Sequence, residues 1–250
     1  MDCRQRCIAS LCFAASFFLF GCQSYIPPSG RADLASLASI SNSNIRKGFA
    51  AKPATQFPAS IAAVRIQAPS YRSFTTERRG GVFGDGRYSV ITAHELDEPA
   101  ALQSIAKIPQ IGGFIHLSRL LLPSKLQSDM ELREAAAQLK ADMLLLYTFD
   151  TSFHNNDASV ALNVISLGLS PTRKIFLHVT ASALLLDTRT GFIYAALEST
   201  EHRELRTNVW ESQETAERAR QSAEAAAFRS LVQEFETSWP QVVARASEGA

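Results

Sequence analysis

The stretch Asp129–Phe153, DMELREAAAQLKADMLLLYTFDTSF, decides how the chain is read. Leu132, Ala135, Ala136 and Leu139 recur at the 3.6-residue spacing of one helical stripe. Ser128 and Glu131 stand at the spacing of a capping box, so a helix is predicted to begin there. It runs through Ala141 and Asp142 into MLLLYTF, whose unbroken apolar start suits a strand buried on both faces. A helix feeding a fully buried strand places that strand at the centre of a sheet.

Working outward, SIAAVRIQAP (Ser60–Pro69) and RYSVITA (Arg87–Ala93) carry the β-branched residues of two earlier strands. EPAALQSIAKI reads as a short helix stopped by Pro109, and a further strand is expected near Phe114–Leu117. HNNDA (154–158) reads as a turn from its Asn and Asp content. Beyond it, SVALNVISLGL, IFLHVTASALLLD and FIYAALEST read as three meandering strands, joined by the turns SPTRK and TRTG. ESQETAERARQSAEAAAFRSLVQEFETSW is a long helix with Ala216, Ala219, Ala223, Ala227, Leu231 and Phe235 at helical spacing, limited by Pro240. The predicted class is α+β: a mixed sheet with helices packed on one face, a C-terminal meander of three strands and a long final helix.

The first tenth of the chain has a different composition. All four cysteines of the 250 residues lie at or before Cys22, so the body holds no disulfide framework, cysteine metal cluster or thiol nucleophile. Arg4 and Arg6 precede the apolar run CIASLCFAASFFLF, about 14 residues, which suits a secretory signal and is too short for a spanning helix. The run ends in Leu19-Phe20-Gly21-Cys22, which resembles the lipobox of bacterial lipoproteins. Phe20 departs from the small residue usual before the glycine. The resemblance implies cleavage behind Gly21 and acylation at Cys22, with a thioether-linked diacylglycerol and an acylated amino group. Gln23 is not the Asp that retains enterobacterial lipoproteins in the inner membrane, so the periplasmic face of the outer membrane is the expected location. An ordinary cleaved signal or an uncleaved anchor is the alternative.

The expected organisation is therefore a signal peptide over 1–21, a Ser/Ala/Pro-rich tether over 22–57, and one periplasmic α+β domain over 58–245. Such a tether of about 35 residues could reach on the order of 100 Å if fully extended. The order of elements, the helix ending in ADMLLLYTF and the late LLLDTRTGFIY hairpin are similar to the periplasmic domains of CsgG and the TolB amino-terminal type. That resemblance implies an envelope role and admits a pore-forming one.

Formal charge is +1, and removal of Arg4, Arg6 and Asp2 leaves a neutral chain, so neither nucleic acid nor an anionic lipid surface is an expected electrostatic partner. His94-Glu95 opens like a zinc-protease motif, but HELDE puts Glu98 where the second histidine must stand. His154, Asn155, Asn156 and Asp157 could hold a divalent ion from a loop, although a surface turn explains them more simply. GGVFGDGR (Gly80–Arg87) lacks the helix start and the Lys-Ser/Thr pair of a phosphate loop and reads as a flexible loop suited to partner contacts. Asp142, Asp150 and Asp187 fall at strand ends, where turn and capping roles are expected. The apolar hairpin Ser159–Asp187 is expected in a buried sheet rather than a barrel wall, because Ala183–Leu186 is apolar on both faces. No catalytic residue, cofactor or metal is expected, and the partners expected are the membrane through Cys22 and another envelope protein. The functional expectation is a non-catalytic binding or assembly-accessory lipoprotein, with a homo-oligomeric CsgG-like secretion or pore component as the alternative.

Overall fold

The computed structural model describes residues 28, 30–33, 48–69, 71–92, 98–157, 173–207 and 212–248. The signal run, the lipobox residues Gly21 and Cys22, His94-Glu95 and the SVALNVISLGL segment lie outside them.

Strand β1 (Ala59–Gln67) is the hub of the sheet, and eight of its nine residues are buried. On one side it pairs in parallel with β7 (Met143–Asp157) over Ile61–Arg65. Its other side is shared: β5 (Ile111–His116) runs parallel to its first half, and β4 (Ser89–Ile91) runs antiparallel to its end. The short β2 (Val82–Phe83) extends the edge beyond β4. Past β7 come β8 (Arg173–Asp187) and β9 (Ile193–Thr207), both antiparallel to their neighbours. A separate two-stranded ladder joins β3 (Asp85–Gly86) to β6 (Lys125–Leu126). The helices among the described residues include α1 (Phe74–Arg79), α2 (Glu98–Ile105), α3 (Met130–Gln138) and α4 (Ser212–Glu248), with a 3-10 turn at Arg119–Leu121.

The α+β class, the mixed sheet and the long final helix after β8 and β9 agree with expectation; two of the three expected meander strands are β8 and β9, and the first, SVALNVISLGL, lies outside the described residues. The helices, however, occupy both faces. Ile61, Ala63, Leu145 and Tyr147 pack with Leu102 of α2 and Ala223, Ala227 and Phe228 of α4. Ala62, Val64, Leu144 and Leu146, pointing the other way, pack with Leu132, Ala135 and Ala136 of α3. Chain handedness explains this. The route from β1 through α2 to β5 moves one way across the sheet, and the route from β5 through α3 to β7 moves back. Right-handed crossovers in opposite directions place their helices on opposite faces.

At the start of α3 the N-cap is Asp129, and the Ser128 hydroxyl accepts from Met130 N at 3.2 Å. The Glu131 carboxylate accepts from Ser128 N at 3.0 Å and Ser128 Oγ at 2.9 Å, the carboxylate half of the expected capping box. Burial opposes the charge on Glu131, but these bonds and that from Gln127 N hold its carboxyl below the usual range. Helix α4 does not stop at Pro240. Proline there removes only the bond to the Glu236 carbonyl, on an exposed side of the helix where water can serve it. Val242 and Ala246 are 2% and 5% exposed, so core packing carries the helix past the proline. Trp239 Nε1 donates to the Pro109 carbonyl at 3.0 Å and ties α4 to the end of α2. No helix among the described residues is long and apolar enough to cross a membrane.

The described part of HNNDA, His154–Asp157, is not a turn. His154–Asp157 continue β7 and pair with Arg173–Phe176 of β8, so Arg173 and Lys174 of the expected SPTRK turn are also in strand. An Asx turn is stabilised only locally, whereas these residues extend a 15-residue ladder whose register is already set by the core.

GGVFGDGR is not a flexible loop either. It builds β2 and β3, with Asp85 N donating to the Ser124 carbonyl and Arg87 N to the Leu126 carbonyl at 2.7 and 2.8 Å. Gly86 has φ +142°, and a Cβ there would fall inside contact distance of the Leu126 carbonyl oxygen. Gly86→Ala is therefore expected to destabilise the domain by about 1–3 kcal/mol, measured as the shift of the urea unfolding midpoint.

Candidate functional site

Strands β7, β8 and β9 each have 15 residues, about 50 Å. β1 pairs with β7 only as far as Tyr147, so the three strands continue together as a ribbon beyond the hub. Side chains alternate across a strand. The odd residues Phe149, Leu177, Val179 and Ala181 are buried in the cluster under α4. The even residues form an open polar face, with cross-strand rows Asp150–Thr180–Thr200, Ser152–His178–His202 and His154–Phe176–Glu204.

Three of the five histidines in the chain thus come together from distant positions on one exposed surface. His178 Nδ1 and His202 Nδ1 lie 2.7 Å apart, with ring centroids at 4.4 Å. The His154 ring is 5.8 Å from that of His178. In the row below, the Thr180 and Thr200 hydroxyls share a 3.0 Å hydrogen bond.

The underside of the ribbon is held by a buried ion network. Arg220, fully buried, places Nη1 at 2.7 Å from Glu224 and Nη2 and Nε at 2.6 and 3.0 Å from Glu217. Arg65 of β1, 2% exposed, approaches Glu224 at 3.7 Å and lies over the Phe149 ring at 4.7 Å. Thr151 on the ribbon donates to Glu224 at 2.8 Å, and Thr75 of α1 donates to Glu217 at 2.6 Å. Two guanidinium groups and two carboxylates balance in charge, which permits their burial. The sequence carries a signal for this network that periodicity alone does not use. Arg65 interrupts an apolar strand, and Glu217, Arg220 and Glu224 follow the i, i+3, i+7 spacing of a single helix face beside the alanine stripe.

The opposite end of the ribbon is closed by Asp187. Its Oδ2 accepts from Ala54 N, Thr55 Oγ1 and Tyr194 OH, each at 2.9 Å. Its Oδ1 accepts from Arg189 N and Thr190 N, which makes the TRTG turn. Burial opposes the charge, but these bonds outweigh it and hold the carboxyl below the usual range. Burial foremost, reinforced by Asp187, pushes the Tyr194 hydroxyl up to about 12. Asp142 is lowered in the same way: burial opposes its charge, and Ser60 N, Ser60 Oγ and Arg189 overcome it. Asp142 and Asp187 thus have the turn and strand-end roles expected. Asp150 lies within β7, 4.0 Å from Arg31 Nε.

The segment preceding the domain also meets this region. Ala32 is 1% exposed, its N–H donates to Thr148 Oγ1 at 3.2 Å, and the Gly30 carbonyl accepts from Ala68 N at 3.3 Å. Gly30 and Ala32 therefore touch the body at the foot of the open polar face. Beneath α4, an apolar seam lined by Leu102, Tyr147, Leu197 and Phe235 offers no polar group to a substrate.

No family model matches the chain, and no curated protein matches it. Three solved structures give remote likenesses. One is the hypothetical protein CT253 of Chlamydia trachomatis, at 10% identity over 74% of this chain and 98% of the other, with a TM-score of 0.31. Another is a Caulobacter crescentus CB15 protein provisionally described as a lipoprotein, at 13% identity over 47% and 78%, with a TM-score of 0.25. The third is protein XCC0632 of Xanthomonas campestris, from family DUF330, at 13% identity over 80% and 92%, with a TM-score of 0.30.

Proposed function

We propose that the chain is a lipoprotein anchored through Cys22 to the periplasmic face of the outer membrane, where it serves as a non-catalytic binding or assembly-accessory module of the cell envelope. The observation that carries this reading is the Leu19-Phe20-Gly21-Cys22 motif at the end of a short apolar run. More than one acyl chain on Cys22, at about 0.8 kcal/mol per buried methylene, is a stable anchor. The contact at Gly30 and Ala32 supports an orientation. Gly30 is only eight positions beyond Cys22, at most about 28 Å of extended chain. The open face of the ribbon is then held near the bilayer that carries the anchor, available to a neighbouring envelope protein.

Cys22→Ser is expected to abolish acylation and move the protein out of the lipoprotein fraction of the outer membrane. Undiminished outer-membrane association in that variant would contradict the anchor. In-cell crosslinking of the tagged full-length protein, followed by mass spectrometry, tests the accessory role. A discrete complex with a different envelope protein is expected. A ladder of self-crosslinks closing in a large ring would instead favour the secretion or pore role.

A further inference from the structure

We propose that His178 and His202, completed by His154, form a binding site for a borderline first-row divalent ion, Zn2+, Cu2+ or Ni2+, on the open face of the ribbon. Two imidazole nitrogens 2.7 Å apart have overlapping lone pairs unless a proton or a cation lies between them. A tetrahedral ion at about 2.0–2.1 Å from each nitrogen requires the pair to open by only a fraction of an ångström. Both rings are exposed, so small side-chain rotations suffice while the paired strands keep their backbones in place.

His154 is the third donor. It lies diagonally across from His178, on the same face of the neighbouring strand. Among the described residues no three histidine, cysteine or carboxylate side chains already converge as a metal group. His154 therefore comes in by rotation about its side-chain bonds, and the ion closes the site. Glu204, two residues from His202 on that face, adds negative potential beside the ion. Imidazole donors select zinc, copper and nickel over magnesium and calcium, which require oxygen. The sequence gives no spacing motif for such a site because its ligands come from three strands, 24 residues apart in each step.

The test is calorimetric titration of the full-length chain in detergent micelles with Zn2+ and with Cu2+, after chelator treatment and desalting. One equivalent is expected to bind the wild-type protein. His178→Ala and His202→Ala are each expected to weaken binding by at least about tenfold, since loss of even an outer-shell partner costs that much. His116→Ala, a change at an exposed histidine on β5, is expected to leave binding unaltered. Electron paramagnetic resonance of the Cu2+ complex should show imidazole nitrogen coupling that diminishes in His178→Ala and His202→Ala. Absence of stoichiometric binding, or equal binding by wild type and the His178→Ala/His202→Ala double variant, would overturn the proposal and leave a hydrogen-bonded cross-strand pair. So would equal weakening by His116→Ala.

Discussion

Arg220→Ala is expected to cost the fold about 3–5 kcal/mol, a large part of the stability of a typical domain. The guanidinium is fully buried and makes three hydrogen bonds of 3.0 Å or shorter to Glu217 and Glu224. Both carboxylates are themselves at most 4% exposed. Removing Arg220 leaves two buried anions deprived of their nearest cation, with Arg65 standing 3.7 Å from Glu224. The penalty is therefore the cost of stranded charge rather than the value of one ion pair. Replacing Arg65, Glu217, Arg220 and Glu224 together by apolar residues of similar volume should recover most of the loss, because no charge of the network is then left without its partner. Urea unfolding of the two variants separates these cases. A loss under about 1 kcal/mol for Arg220→Ala would mean that water enters the site and that the helix is not held there by charge.

Asp187→Ala is expected to cost about 3 kcal/mol and to make the loss of stability in acid shallower. Five donors converge on this one carboxylate, and three of them belong to Ala54, Thr55 and Tyr194 rather than to its own turn. The folded carboxyl is lowered relative to the ordinary aspartate value of about 3.9. Its stabilising contribution is therefore fully present above that value and is lost as pH falls through the lower, folded value. Asp142 is displaced in the same direction and acts through Ser60 and Arg189 at the same end of the sheet. Wild-type stability should be level at neutral pH and fall steeply below about pH 4, with a shallower fall in Asp187→Ala. Unfolding free energies measured across that interval check the slope. Equal slopes in the two proteins would remove Asp187 from the account.

The parts of this fold that could be read from sequence are those where local preference and tertiary packing agree. MLLLYTF is apolar on both faces because α3 covers one side of β7 and α4 the other, and its even and odd residues divide between the two clusters. The Ser128–Glu131 cap was legible because its partners are three residues apart. Where the two kinds of preference compete, sequence reading failed. His154–Asp157 have the composition of a turn but are held in strand by the ladder to β8. Pro240 breaks one hydrogen bond in a helix that extends to Glu248. The glycines of GGVFGDGR suggest mobility, yet at Gly86 the reason for glycine is the close approach of the Leu126 backbone.

The candidate surface was less legible still. His154 was noticed for its neighbours in sequence, Asn155 to Asp157, whereas its neighbours in space are on β8 and β9. A period-two alternation can show that His178 and His202 point away from the core, but the register that sets them opposite each other depends on the whole β8–β9 ladder. Arg65 could be suspected from its place in an apolar strand, yet its partner Glu224 is more than 150 residues away.

The measurement that bears most directly on the central claim is the intact mass of the mature amino terminus from membranes of cells making the full-length protein. The expected product is a chain that begins at Cys22 and carries a thioether-linked diacylglycerol with an acylated amino group. A chain that retains residues before Gly21, or one that begins elsewhere with an unmodified Cys22, would contradict it.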